Sequence, residues 1–402
     1  MNDAELRSGL QAGPVPGEAE AGERAWQVVR QAYAARERLP WIERHSRVVI
    51  VFALLAALAV GAVSPPGRAL VDTFRDTVGR EAPATQPALV RLPPGGRLLV
   101  DSPRGPWVVH ADGSKRLLGA YDAASWSPQG LFVVATRDHQ VVAVEPDGHV
   151  RWSLTRPGLV AQARWAPSGF RIAYREGATL RVVIGNGEGD RLLADGVAPV
   201  APAWRPLAVR NQLAYADRAG KIHVIDVDTR EQLLSVPSHR SVEKLLWAEG
   251  GRRLIVLSAH PADLNRRQGG IRVVGTPSLP AGHRLLDGAV LADGLFAYAD
   301  YDPKADTTAL IQAACVTSDP CLLIGPVRLF QGDGKLENLV VSPDSRWLYF
   351  GWPAADQAVF LRTPGVRKLA TVPNIAEEFD PGGIGPAEFP YVAGWVPDPG
   401  SS

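Results

Sequence analysis

Cys315 and Cys321 enclose Val-Thr-Ser-Asp-Pro, and each adjoins an apolar run, at residues 309–314 and 322–324. That spacing places them opposite one another across a hairpin, within reach of disulfide geometry if the compartment is oxidising. A pair of reduced thiols is the alternative for a cytosolic domain. A structural zinc site is a poor fit, because it needs four ligands and no His or Cys clusters nearby. Asp300, Asp302 and Asp306 take positions one, three and seven of a segment that faintly resembles a calcium loop. Such a loop wants Gly at position six and Glu at twelve, where Ala305 and Ile311 stand, so a solvated turn between strands is expected. Gly185-Asn-Gly187-Glu-Gly189 has the glycines of a phosphate cradle. It lies between two apolar runs rather than ahead of a helix, which makes it a hairpin turn. The histidines at 45, 110, 139, 149, 223, 239, 260 and 283 lack metal-ligand spacing and read as surface or rim residues. No His-Glu-x-x-His, Gly-x-Ser-x-Gly or P-loop pattern occurs. The sequence therefore nominates no catalytic, cofactor-binding or metal-ligating residue, and a non-enzyme without a cofactor is the expectation.

The elements that would position any site follow from a repeated tryptophan. Trp126, Trp165, Trp204 and Trp247 each close a short apolar run and open a turn, at intervals of 39, 39 and 43 residues. A fixed period in that range marks a repeat architecture, and several short strands per period mark β-propeller blades. The turns, as in Trp126-Ser-Pro-Gln-Gly, combine a residue that presets φ with one that accepts positive φ. Val290 and Val341 stand where two further blades have lost the tryptophan. Residues 97–119 then read as three strands with no first strand, while Tyr391 to Trp395 is a first strand with no successors. Joining them closes the ring and removes two sheet edges. The expectation is an all-β, seven-bladed β-propeller over residues 91–397, with six blades the alternative. The acidic, aromatic-bearing stretch 374–385 is read as a connection to the closing strand, with a cover over the channel mouth as the alternative.

Trp126-Ser-Pro-Gln-Gly-Leu-Phe-Val-Val-Ala, Trp165-Ala-Pro-Ser-Gly-Phe-Arg-Ile-Ala-Tyr and Val341-Ser-Pro-Asp-Ser-Arg-Trp-Leu-Tyr-Phe resemble the repeats of TolB-like, or WD40-like, propellers. That resemblance spans the propeller and implies extracytoplasmic or periplasmic binding more often than catalysis, in a family that includes propellers attached to peptidases. No attached hydrolase domain is expected from this sequence. It also lacks the Trp-Asp ending of eukaryotic WD40 repeats, so no partner is carried over from them.

Residues 48–63 are uncharged and almost wholly apolar. The run is short of the usual span of about 20 residues. It has no polar face, however, and adjoins a β-repeat domain with no use for a buried helix, so a single transmembrane helix is expected. A cleaved signal peptide is the alternative, opposed by the long stretch ahead of the run. Arg30, Arg36, Arg38, Arg44 and Arg47 precede it, against Arg68, Arg75 and Arg80 after it. That asymmetry puts the N-terminus in the cytoplasm and the propeller outside, in the cell membrane as a single-pass protein.

In the cytosolic stub, 1–47, an amphipathic helix is expected at about residues 20–38, with Trp26, Val29 and Tyr33 on one face. A stub this small has no core to bury that face. Docking on a protein partner is the favoured reading and lying on the membrane surface the alternative. Residues 64–90 read as a linker and 398–402 as a tail. The layout resembles transmembrane anti-sigma or receptor-like regulators as architecture, without the zinc anti-sigma motif. A formal charge of +1 gives no electrostatic reason to expect nucleic acid. The expected role is a non-catalytic binding or sensing module that signals through the stub. An enzyme with its site at the channel mouth and a cell-envelope scaffold are the alternatives.

Overall fold

Segments such as Val133–Arg137 and Gln140–Val144 bury nearly every residue. Short apolar runs bounded by turns do this when neighbouring sheets cover both faces. The turns are as specific as the runs. Gly130 (φ 65°) sits where the carbonyl must accept Arg97 Nη2 at 2.7 Å. A Cβ there would lie 2.6 Å from that nitrogen, so both the backbone and the close approach require glycine.

The computed structural model describes Leu92 and residues 95–398, apart from 208–209, 239–240, 259–263, 276–278, 292–294, 316–322, 364–367 and 382–387. The expected stub helix with Trp26, Val29 and Tyr33, the apolar run 48–63 and the linker 64–90 lie outside the described residues. Among the described residues no helix is long and apolar enough to cross a membrane.

Seven four-stranded sheets form the propeller. From the channel outward, blade 1 comprises Ala123–Trp126, Val133–Arg137, Gln140–Val144 and Val150–Thr155. Blade 2 is Val160–Trp165, Arg171–Glu176, Thr179–Ile184 and Arg191–Ala194. Blade 3 is Ala203–Trp204, Gln212–Ala216, Lys221–Asp226 and Gln232–Pro237. Blade 5 is Arg284–Val290, Leu295–Asp302, Thr307–Cys315 and Leu323–Asp333, and blade 6 is Glu337–Val341, Trp347–Trp352, Gln357–Arg362 and Leu369–Pro373. Blade 7 joins the C-terminal strand Tyr391–Val396 to Arg97–Ser102, Gly105–Val109 and Lys115–Leu117. The count is seven, not six, and the ring closes with one C-terminal and three N-terminal strands.

Blade 4 departs from the simple meander. Lys244–Ala248 pairs with Arg253–Leu257, but the third position is taken by Ile271–Val274, which runs parallel to Arg253–Leu257. Asn265–Gln268 forms the outer edge. Between the second and third positions of this sheet the chain therefore visits the rim before returning inward. Asn-Arg-Arg-Gln shows no apolar alternation because an exposed edge strand has little to bury.

Each pair of neighbouring blades encloses its own apolar cluster, seven in all around the ring. A fully buried Val, Leu or Phe contributes about 1.5–3 kcal/mol, so stability is distributed around the ring. The helix Ile375–Phe379 joins one of these clusters. Ile375 and Phe379 are buried with Trp107 and Phe360, and Lys115 Nζ lies 5.4 Å from the centroid of Trp107 and 5.0 Å from that of Phe379. Trp107 and Lys115 belong to the two outer strands of blade 7. The described part of 374–385 thus fills the outer gap between blades 6 and 7 and does not cover the channel mouth.

Candidate functional site

Two of the blade tryptophans tie neighbouring blades together beside the channel. Trp204 Nε1 donates to Arg164 O at 2.8 Å and Trp247 Nε1 to Ala203 O at 2.9 Å. Each indole thus reaches the residue before the tryptophan of the preceding blade. Trp395 Nε1 donates to Gly95 O at 3.1 Å and Trp165 Nε1 to Gly169 O in its own turn at 2.9 Å. Trp126 Nε1 has no protein partner among the described residues. Its ring instead carries the Arg97 guanidinium, 5.0 Å from the centroid.

The innermost strands of blades 2, 5 and 6 carry bulges, where register shifts at Ala161/Arg164, Leu285/Asp287 and Glu337/Val340. Gln162 (φ 56°) and Asn338 (φ 61°) take the left-handed conformation there. That conformation costs of order 1–3 kcal/mol and needs compensation. Hydrogen bonds to the following blade supply it. Asn338 donates Nδ2 to Val392 O at 3.0 Å and accepts Val392 N at 2.5 Å, so the amide acts as a strand neighbour. Gln162 Nε2 donates to Pro199 O at 3.0 Å while its Oε1 accepts Arg175 Nε at 2.9 Å. At the third bulge Asp287 accepts Leu339 N at 2.8 Å and Lys244 Nζ at 2.6 Å.

Two charged groups near the channel are less well served. Arg164 lines a channel cavity of about 600 Å³, a size suited to a small ligand. Its guanidinium donates Nη1 to Ala163 O at 2.9 Å, and no carboxylate forms an ion pair with it among the described residues. Asp101, on blade 7, accepts Ala124 N of blade 1 at 3.3 Å, while its Oδ1 is buried with no protein partner. Burial pushes this carboxyl up to about 7, outweighing the Ala124 N–H and the charge of Arg164, which both favour ionisation.

On the rim, the turns of blades 1 and 2 enclose a second cavity of about 590 Å³. Phe132 and Trp165 stack within it, with centroids 6.1 Å apart and planes 18° apart. Arg151 Cζ lies 5.9 Å from the Phe132 centroid. Trp152 forms another wall, its Nε1 donating to Gly185 O at 2.9 Å. Gly187 (φ 90°) packs so close to that indole that a Cβ would lie 2.8 Å from the ring. Leu131 and Phe170 are 54% and 69% exposed at the lips of the cleft. Each directly follows the turn glycine of its repeat, whereas blade 6 has Arg346 at that position.

The remaining sequence candidates separate. Asp300, Asp302 and Asp306 stand about a hairpin turn and bond to His283 Nδ1, Lys304 N and Tyr301 OH. The described residues contain no group of His, Cys, Asp and Glu able to hold a metal. Residues 185–189 form a hairpin turn, with Gly187 N donating to Ile184 O at 2.8 Å. Cys315 ends the third strand of blade 5 opposite Leu323. Its side chain and the whole of Cys321 lie outside the described residues.

No family model matches the sequence, and no curated protein does. Solved structures do. A chain in a mitotic checkpoint complex is 14% identical, with a TM-score of 0.50, over 71% of this chain and 95% of that one. A Bacteroides uniformis protein provisionally designated a 6-phosphogluconolactonase is 12% identical, with a TM-score of 0.50, over 69% and 97% of the two chains. At such identities the likeness establishes the propeller fold alone.

Proposed function

We propose that this chain is a membrane-anchored, extracytoplasmic binding module whose propeller engages a protein partner without performing chemistry on it, and which signals through its N-terminal stub. The observation that carries the binding reading is the cleft between blades 1 and 2. An aromatic pocket with two exposed apolar lips has the anatomy of an interface anchor site, in which a few large side chains supply most of the binding energy. The anchor and the orientation rest on the apolar run 48–63 and the arginine excess before it.

A photoreactive residue placed at 170 in the full chain in cells is expected to cross-link a protein partner, while one at 304, on the exposed blade 5 turn, is not. Leu131→Ser combined with Phe170→Ser, made alongside the probe at 132, should abolish the adduct and shift stability by no more than about 0.5 kcal/mol per site, as surface changes do. Equal adducts at 170 and 304 would remove the cleft from consideration.

The outward placement has a separate check. Protease added to intact cells should reach the propeller and spare a tag at residue 1, and alkylation of protein taken directly from cells should find Cys315 and Cys321 paired. A cleaved N-terminal tag with a protected C-terminus reverses the orientation, and reactive thiols remove the disulfide.

A second reading, an enzyme at the channel mouth, draws on Asp101, since a carboxyl pushed up to about 7 suits proton transfer near neutrality.

A further inference from the structure

Arg164 is placed by two features of blade 2. The bulge between Ala161 and Arg164 breaks the strand register, and bulges re-aim the side chains around them. The carbonyl of Arg164 is then fixed by the Trp204 indole at 2.8 Å. The resulting side chain lines a cavity of about 600 Å³ whose walls include Trp165, Trp204, Trp247, Val290 and Val392. A guanidinium carries five N–H donors. Here the protein acceptor among the described residues is a single carbonyl, that of the adjoining Ala163. Lys244, the other basic residue lining that cavity among the described residues, is already paired with Asp287 at 2.6 Å.

From this arrangement we infer that the channel cavity is a binding site for a small organic carboxylate with an apolar body, its carboxylate held by the guanidinium of Arg164 and its body by the indole and aliphatic walls. The planar fork of arginine matches a carboxylate with two parallel hydrogen bonds. Burial favours the protonated form of Asp101, the carboxyl that feels the charge of Arg164, which leaves one fixed cation to balance one negative charge. A phosphate dianion would leave a second charge against apolar walls, where an unpaired charge is costly. The carboxylate of a small molecule and that at the end of a peptide present the same chemistry to Arg164. The site shares the Trp165 wall with the rim cleft, but Arg164 belongs to the channel alone and Leu131 and Phe170 to the cleft alone, so either can fail without the other.

Equilibrium dialysis of the full-length protein in detergent tests this with 3-phenylpropionate, using its neutral amide as control. Wild type should bind the acid saturably, and the amide about ten- to hundredfold more weakly, the range for losing charge-assisted hydrogen bonds. Arg164→Gln should weaken the acid by a similar factor without changing the amide. Arg164→Lys, which keeps the charge but not the fork, should fall between. The acid–amide comparison needs no variant and stands even if Arg164→Gln fails to fold. Gly-Gly-Phe as free acid and as amide separates the two sources, and saturation by the free-acid peptide alone assigns the site to a chain terminus. The inference is overturned if neither acid binds saturably, if acids and amides bind equally, if inorganic phosphate competes as well as the acid, or if a folded Arg164→Gln protein retains wild-type affinity.

Discussion

A chain ending at residue 387 is expected to lose cooperative unfolding and to aggregate, although every other described strand of the propeller is retained. The deletion removes Tyr391–Val396, the innermost strand of blade 7, which pairs along Arg97–Ser102. Val392, Trp395 and Val396 are buried, and Trp395 meets Phe360 edge-on with centroids 5.7 Å apart. The buried amide of Asn338 loses both of its bonds to Val392, leaving it unsatisfied at about 1–3 kcal/mol. Three large buried side chains at about 1.5–3 kcal/mol each, added to that penalty, approach the whole stability of a typical domain, about 5–15 kcal/mol. The bared edge of Arg97–Ser102 then offers a template for pairing between chains. Ending the chain at Asp398 instead keeps the strand and the Asp398 acceptor for Gly96 N at 3.0 Å, so its unfolding midpoint should match that of the full chain. Denaturant titration and light scattering of both truncations provide the measurement. A monomeric 1–387 chain with an unchanged midpoint would show that ring closure contributes little.

Asp101→Asn should reverse part of the pH dependence of stability. The Asp101 carboxyl has a folded value of about 7, above the unfolded value near 4. The protonated form is therefore favoured by folding. Its stabilising contribution is complete below about pH 4 and is lost as pH rises through about 7, because there the folded state must release a proton it holds more tightly than the unfolded chain does. At pH 8 the wild-type protein carries the cost of a buried carboxylate, on the order of 2–4 kcal/mol at 1.36 kcal/mol per unit. Asparagine keeps an acceptor for Ala124 N and carries no charge. Urea titrations from pH 4 to pH 8 should show the variant gaining on wild type by that amount as pH rises. Parallel curves for the two proteins would mean that Asp101 does not titrate in this window.

The ring was legible because its signals are local. Trp126, Trp165 and Trp204 end innermost strands beside compact turns, Trp247 stands one residue before the end of its own, and the unpaired strands at the two termini complement one another. Val290 and Val341 end their strands where the spacing places them. The outer strands of blade 4 were hidden because Asn265–Gln268 lies at an exposed edge and has no apolar face to announce. The channel was hidden for another reason. Gln162 and Asn338 are ordinary polar residues in sequence, and only the bulges, with their bonds to the next blade, give them a role. Arg164 and Asp101 belong to no motif, since the chemistry near the channel is assembled from blades 2, 7 and 1, far apart in the chain. The rim cleft did leave a trace, as Leu131 and Phe170 are apolar residues placed just after turn glycines, where blade 6 has an arginine.

The closure of the ring also bears on how the domain would carry a mechanical load. The chain enters the propeller at Arg97, and the strand it begins is not an edge: Tyr391–Val396 lies on one side and Gly105–Val109 on the other. Tension applied to the chain ahead of Arg97 therefore meets two hydrogen-bonded ladders at once, with buried Leu98, Leu99 and Val100 between them. A propeller whose first residues formed an outer strand would peel from its rim under the same pull. Here the strand Arg97–Ser102 is clamped on both sides, and a force large enough to extract it has to break the ring at its seam.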